Sequence, residues 1–115
     1  MKTDMTVIIG ERVWEVKRMD SHDPEMYVDG NVCIGSCWDA KNLICISNEL
    51  KGSAAEKVIG HELTHAIIAS TQIHTPENYS EEDLADFGGM WSVTIAALTQ
   101  DIMRELLNEE ERNEV

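Results

Sequence analysis

The residues with the most chemical content lie in one short stretch, Gly-His-Glu-Leu-Thr-His-Ala at positions 60 to 66. His61 and His65 stand four apart, which on a helix puts both imidazoles on one face, a single turn from each other. Two imidazoles so placed can reach one zinc ion at about 2.0–2.1 Å. Glu62 directly follows the first of them. A water on such an ion has its pKa lowered toward about 7, and an adjacent carboxylate can accept its proton as general base. The chemistry to expect is hydrolysis assisted by one zinc ion, with His61 and His65 as ligands and Glu62 as base. Two plainer readings use the same residues: a zinc ion that only staples a small core, or two histidines sharing a helical surface with no metal.

A catalytic zinc needs a third protein ligand and an open fourth position. A third histidine at the spacing H-E-x-x-H-x-x-G-x-x-H would require glycine at 68 and histidine at 71, where the chain has Ile68 and Thr71. That leaves a carboxylate, and Ser-Glu-Glu-Asp-Leu-Ala-Asp-Phe at 80 to 87 supplies several. Glu82 and Asp86 are the preferred pair. Four apart, they share a face, so that Glu82 can bind the metal while Asp86 accepts a hydrogen bond from a ligating histidine. Glu81 and Asp83 remain open as ligands. Acids at a helix N-terminus are also favoured by the macrodipole alone.

These groups need elements to hold them. Met5–Gly10 and Arg12–Met19 read as two strands rich in Val, Ile and Trp, and residues 20 to 31 as a polar loop with an Asp29-Gly30 turn signal. Asn31–Trp38 and Asn42–Asn48 read as two further strands joined by a hairpin through Asp39-Ala40-Lys41-Asn42, with Gly35 a candidate bulge. The period then changes. Ser53 with Glu56 suits a capping box. Behind it Ala54, Val58, Ile59, Leu63, Ala66 and Ile67 recur at helical spacing, which predicts a helix over 54–69. Ser80 with Asp83 signals a second cap. Leu84, Phe87, Trp91, Ile95, Leu98, Ile102 and Leu106 then predict a long helix over 81–108. Gly88-Gly89 inside it costs about 1 kcal/mol per glycine, and close packing against the first helix is the expected return. The fold class is α+β: one domain over residues 1–115, a small, mostly antiparallel sheet packed on the His-Glu-x-x-His helix and a second long helix.

His61-Glu62-x-x-His65 followed by Glu82-x-x-x-Asp86 resembles gluzincin-type zinc metallopeptidases. The small size and preceding strands resemble more narrowly the minimal zincin-like peptidases of phages, mobile elements and bacteria, including the ImmA/IrrE group. That resemblance covers roughly residues 31 to 90 and implies zinc held by His61, His65 and Glu82, with Glu62 as base. The ImmA/IrrE group usually shows Glu-Ala-Asn near its ligand glutamate, where this chain has Glu-Glu-Asp-Leu-Ala-Asp-Phe. The resemblance also implies an extended peptide along an edge strand. Here that is the strand of Ile34, Gly35, Ser36 and Cys37, or alternatively Leu43–Ser47, with backbone pairing giving affinity. His74 and Tyr79, between the helices, are candidate donors to the transition state. The implied substrate is a peptide or a specific regulatory protein; the alternative is a non-enzymatic interaction protein on the same scaffold.

Composition narrows the partners. A net charge of −13 over 115 residues opposes nucleic acid and anionic membrane surfaces alike. No apolar run approaches the roughly 20 residues needed to span a bilayer. The N-terminus lacks the pattern of a signal peptide, so a cytoplasmic location is expected. Cys33, Cys37 and Cys45 make an odd set without zinc-knuckle spacing and are expected as small core or half-buried thiols. Trp14, Trp38 and Trp91 leave room for an apolar interface, so the chain is expected as a monomer or a small homo-oligomer.

Overall fold

The computed structural model describes residues 3–28, 30–71 and 81–107; at 28, 32, 81, 83 and 84 it describes the backbone alone. Four strands, β1 (Asp4–Ile9), β2 (Arg12–Met19), β5 (Gly35–Trp38) and β6 (Leu43–Ser47), form one sheet in the order β1-β2-β6-β5. A separate two-stranded hairpin joins β3 (Tyr27–Val28) to β4 (Asn31–Val32). The helices are α1 (Gly52–Thr71) and α2 (Glu81–Leu106). The α+β class is as expected. The sheet is mixed: β1/β2 and β5/β6 are antiparallel, while β2 and β6 run parallel.

Side-chain alternation explains the layers. On β2, Trp14, Val16 and Arg18 point one way and are buried, while the residues between them are less so. Val7 and Ile9 of β1 and Ile44 and Ile46 of β6 join that face. Against it α1 lays Ala55, Ile59, Leu63, Ala66 and Ile67, and the C-terminal turns of α2 add Ile102, Met103 and Leu106. β6 is buried along its whole length because its other face is covered too, with Leu43 and Cys45 under Met26, Met19 and Trp38. Arg18 ties the layers together, donating to the carbonyls of Leu106 at 3.1 Å and Asn48 at 3.0 Å. A cation at the last carbonyls of α2 complements its macrodipole.

Several expectations need correction. Asn31–Trp38 is two strands, because β4 pairs with β3 and the chain then turns through Cys33 and Ile34 before β5. α1 opens at Gly52, whose φ is +56°, so Ser53 lies inside the first turn and does not cap it. The buried alanine of that turn is Ala55, while Ala54 is exposed. α2 runs unbroken through Gly88-Gly89, yet a Cβ on either glycine would meet nothing within 4 Å, so they do not serve close packing on α1. The helices approach at Gly60 instead, where a Cβ would stand 3.8 Å from Ile95 and 3.9 Å from Thr99. Trp14 belongs to the core, donating from its indole to Ser70 Oγ at 2.7 Å. The second cap at Ser80 lies outside the described residues, and α2 ends at Leu106, two residues before the expected Asn108. Among the described residues no helix is long and apolar enough to cross a membrane.

Candidate metal centre

α1 carries the centre, and its placement follows from what the helix must bury. Ile59, Leu63, Ala66 and Ile67 face the sheet, which turns His61 and His65 outward beside them. Glu62 lies between these faces and is directed under β5, where only 7% of it stays exposed. His61, Glu62 and His65 each offer a ligand atom, and these atoms lie within 4.8 Å of one another.

The imidazole geometry tests whether a metal fits. The Nε2 atoms of His61 and His65 stand 3.2 Å apart, with the rings edge to face at 77°. A tetrahedral zinc with Zn–N of about 2.0–2.1 Å requires two nitrogens about 3.3 Å apart. The same spacing also permits one imidazole to donate to the other without metal. Burial, then the charge of His61, lowers the pKa of His65, which favours the unprotonated ring that a metal requires. Burial raises the pKa of Glu62, and His61 opposes that in part. The group therefore fits a divalent ion held by the two histidines beside a carboxylate of raised basicity.

A cleft of about 390 Å³ opens over the group, walled by Cys33, Gly35, Ser36, Cys37 and Asp39 on one side and His61, Glu62, His65 and Ala69 on the other. An adjoining space of about 530 Å³ lies beyond Glu62, bounded by Ile34, Lys57 and Val58. The candidate strand of Ile34, Gly35, Ser36 and Cys37 thus borders the site, and β5 is an edge of its sheet. Leu43–Ser47, the other candidate, is interior, between β2 and β5. The register says more. Ser47 N–H donates to the carbonyl of Ile34 at 3.0 Å, and Gly35 lies opposite Ile46. That makes Gly35 and Ile46 a pair without mutual hydrogen bonds, so the N–H and C=O of Gly35, and of Cys37 two residues on, point away from β6 toward the open edge.

The acids of α2 are placed differently. Among the described residues the ligand group contains only His61, Glu62 and His65; Glu82 and Asp86 are exposed and outside it. The helices meet at Gly60 and Ile95, and Glu82 lies about 20 Å along α2 from Ile95 at 1.5 Å per residue. The side chains of Glu81 and Asp83, and the whole of His74 and Tyr79, lie outside the described residues. Cys33 and Cys37 are half-buried thiols lining the cleft and Cys45 is buried in the sheet. Asp39 and Lys57 were not singled out from sequence. Lys57 could have been, since it precedes His61 by one helical turn.

Compared with protein-family models, with curated proteins and with solved structures, the chain matches none. What defines it is a His-Glu-x-x-His group able to hold a metal ion, on the first helix of a small α+β fold.

Proposed function

We propose that the protein is a zinc-dependent peptidase in which Glu62 is the general base, acting on a peptide laid along the edge of β5. The observation that carries this reading is the convergence of the His61 and His65 Nε2 atoms at 3.2 Å beside a buried Glu62, in a cleft walled by an edge strand. A zinc ion held by His61 and His65 would supply a Lewis acid for the water and the scissile carbonyl. A peptide in extended form would pair with the outward N–H and C=O groups of Gly35 and Cys37, which fixes its register across the cleft. Glu62 takes a proton from the attacking water as its oxygen bonds to the carbonyl carbon. It then delivers that proton to the amine nitrogen as the carbon–nitrogen bond breaks. The raised pKa of Glu62 suits both transfers.

The third ligand in this reading is a carboxylate from the first turn of α2, Glu82 ahead of Glu81 and Asp83, with Asp86 orienting a histidine. Bringing Glu82 to the pair requires the first turns of α2 to close on α1 when the ion binds. His74 and Tyr79 remain the proposed donors to the oxyanion. The whole chain acts as one domain in the cytoplasm, as a monomer or small homo-oligomer, on a peptide or a regulatory protein. The second reading is a non-enzymatic interaction protein that keeps a zinc-stabilised scaffold, and the separation of the α2 acids from the histidines favours it. Glu62→Gln separates the two readings. Zinc content and folding are retained in both, whereas cleavage of quenched fluorescent peptides is lost only if Glu62 is the base. Cleavage that survives the substitution removes the general-base assignment.

A further inference from the structure

β5 crosses α1 at Gly35, and the crossing is tight. A Cβ added to Gly35 would stand 2.6 Å from Val58 Cγ1, 3.0 Å from Glu62 Oε2 and 3.2 Å from Glu62 Cγ. Carbon atoms in contact normally keep about 3.5–4.0 Å. The glycines with positive φ are Gly10, Gly30 and Gly52, so Gly35 is required by space and not by backbone conformation. Its two neighbours differ in how they can yield. Val58 is β-branched, which in a helix leaves one strongly preferred χ1, and it packs against the core. The Glu62 carboxylate ends an unbranched chain and is the part that can swing away.

We infer that Gly35 is a positioning residue for Glu62: the absence of a side chain on β5 sets where the carboxylate rests in the cleft. The backbone N–H and C=O of the same residue face the open edge. The strand offered to a peptide and the base offered to its carbonyl are therefore keyed to each other at one position. As far as catalysis is concerned, this rests on the peptidase reading above. The placement of the carboxylate does not.

The test uses the full chain with Gly35→Ala, Val58→Ala and the double substitution. Three quantities are read: cobalt(II) uptake, hydrolysis of one quenched fluorescent peptide that the wild type cleaves, and the carbon-13 signal of the Glu62 carboxyl, identified by its loss in Glu62→Gln. Gly35→Ala should take up cobalt like the wild type, because His61 and His65 are untouched. Its kcat should fall about a hundredfold, as expected for a displaced catalytic group, with little change in KM. The carboxyl signal should move. Adding Val58→Ala gives the new Cβ room, so rate and signal should return to those of Val58→Ala alone. An unchanged rate and signal in Gly35→Ala would overturn the inference, as would a loss that Val58→Ala does not reverse. If the wild type takes up cobalt but cleaves no peptide, the peptidase reading fails, and the carboxyl signals still decide the placement of Glu62. Should Gly35→Ala alone not fold, Gly35→Val in the Val58→Ala background replaces it, with the signal displaced there and restored in Gly35→Ala/Val58→Ala.

Discussion

The middle of α1 and the N-terminal half of α2 carry the same kinds of residue and have opposite surroundings. Glu62 is buried, pressed under β5 and raised in pKa, and its flanking histidines converge. Glu82 and Asp86 are exposed. Leu63 is fully buried beneath the histidines, whereas Met90 and Val93 are 68% and 79% exposed. α1 packs on the sheet along its length, so its polar turn is assembled by the core. α2 buries Ile102, Met103 and Leu106 in the core through its C-terminal turns, while Phe87, Trp91, Ile95 and Leu98 pack against it only partly buried, and its first-turn acid Glu82 is exposed. A carboxylate gains chemical character from what covers it, and composition alone does not tell the two turns apart.

Matched substitutions sharpen or break that contrast. The largest effect is expected for Glu62→Gln, which should lower peptide hydrolysis by about 10³-fold, within the range for loss of a general base. The measurement is the initial rate at matched zinc content; a loss of zinc in parallel would make Glu62 a ligand instead. Next comes stability. Leu63→Ala should cost about 2–5 kcal/mol, as for a leucine removed from a packed core. Val93→Ala on exposed α2 should stay within about 0.5 kcal/mol. Urea denaturation of both variants checks the pair, and similar costs would mean that α2 is covered where it stands exposed here. Glu82→Gln should weaken zinc about 10–100-fold if α2 closes onto the histidines, by analogy with groups that tune a metal site. Competition with a chelator reads it, and an unchanged affinity would take Glu82 out of the ligand set.

The smallest effect concerns the wall of the cleft. The Cys37 thiol is pushed up to about 12, first by burial and then by the charges of Glu62 and Asp39. The reactive thiolate is therefore scarce near neutral pH and grows as pH rises toward that value. Alkylation of Cys37 should be slow at pH 8 and accelerate up to the alkaline limit of folding. Glu62→Gln should make it modestly faster by removing a negative neighbour. Peptide mapping after timed alkylation checks both statements, and rapid labelling at pH 7 would contradict the burial of that wall.

How much of this was legible follows the same division. His61, Glu62 and His65 could be read because helical spacing alone brings them together, and the stripe of Ile59, Leu63, Ala66 and Ile67 orients them. β1, β2 and β6 were legible from β-branched residues in strand-length runs. The parallel pairing of β2 with β6 was not, because strand order is a tertiary outcome with no local signal. Ser53 misled as a cap because Gly52, with its positive φ, starts the helix a residue earlier. Gly88-Gly89 misled because a glycine pair suggests a close neighbour, while the helix contact falls at Gly60. Gly35 looked like a bulge and proved to be a clearance for Val58 and Glu62. A third ligand for the proposed centre could be narrowed in the sequence to three adjacent acids, Glu81, Glu82 and Asp83, and no further, since reaching the histidines depends on how α2 is directed.

The central claim, that this turn of α1 is a metal site, is tested most directly by zinc titration of the purified chain beside His65→Ala. One zinc per chain is expected in the wild type, with that binding lost in the variant while it remains folded. No uptake by the wild type, or equal uptake by both, would contradict it.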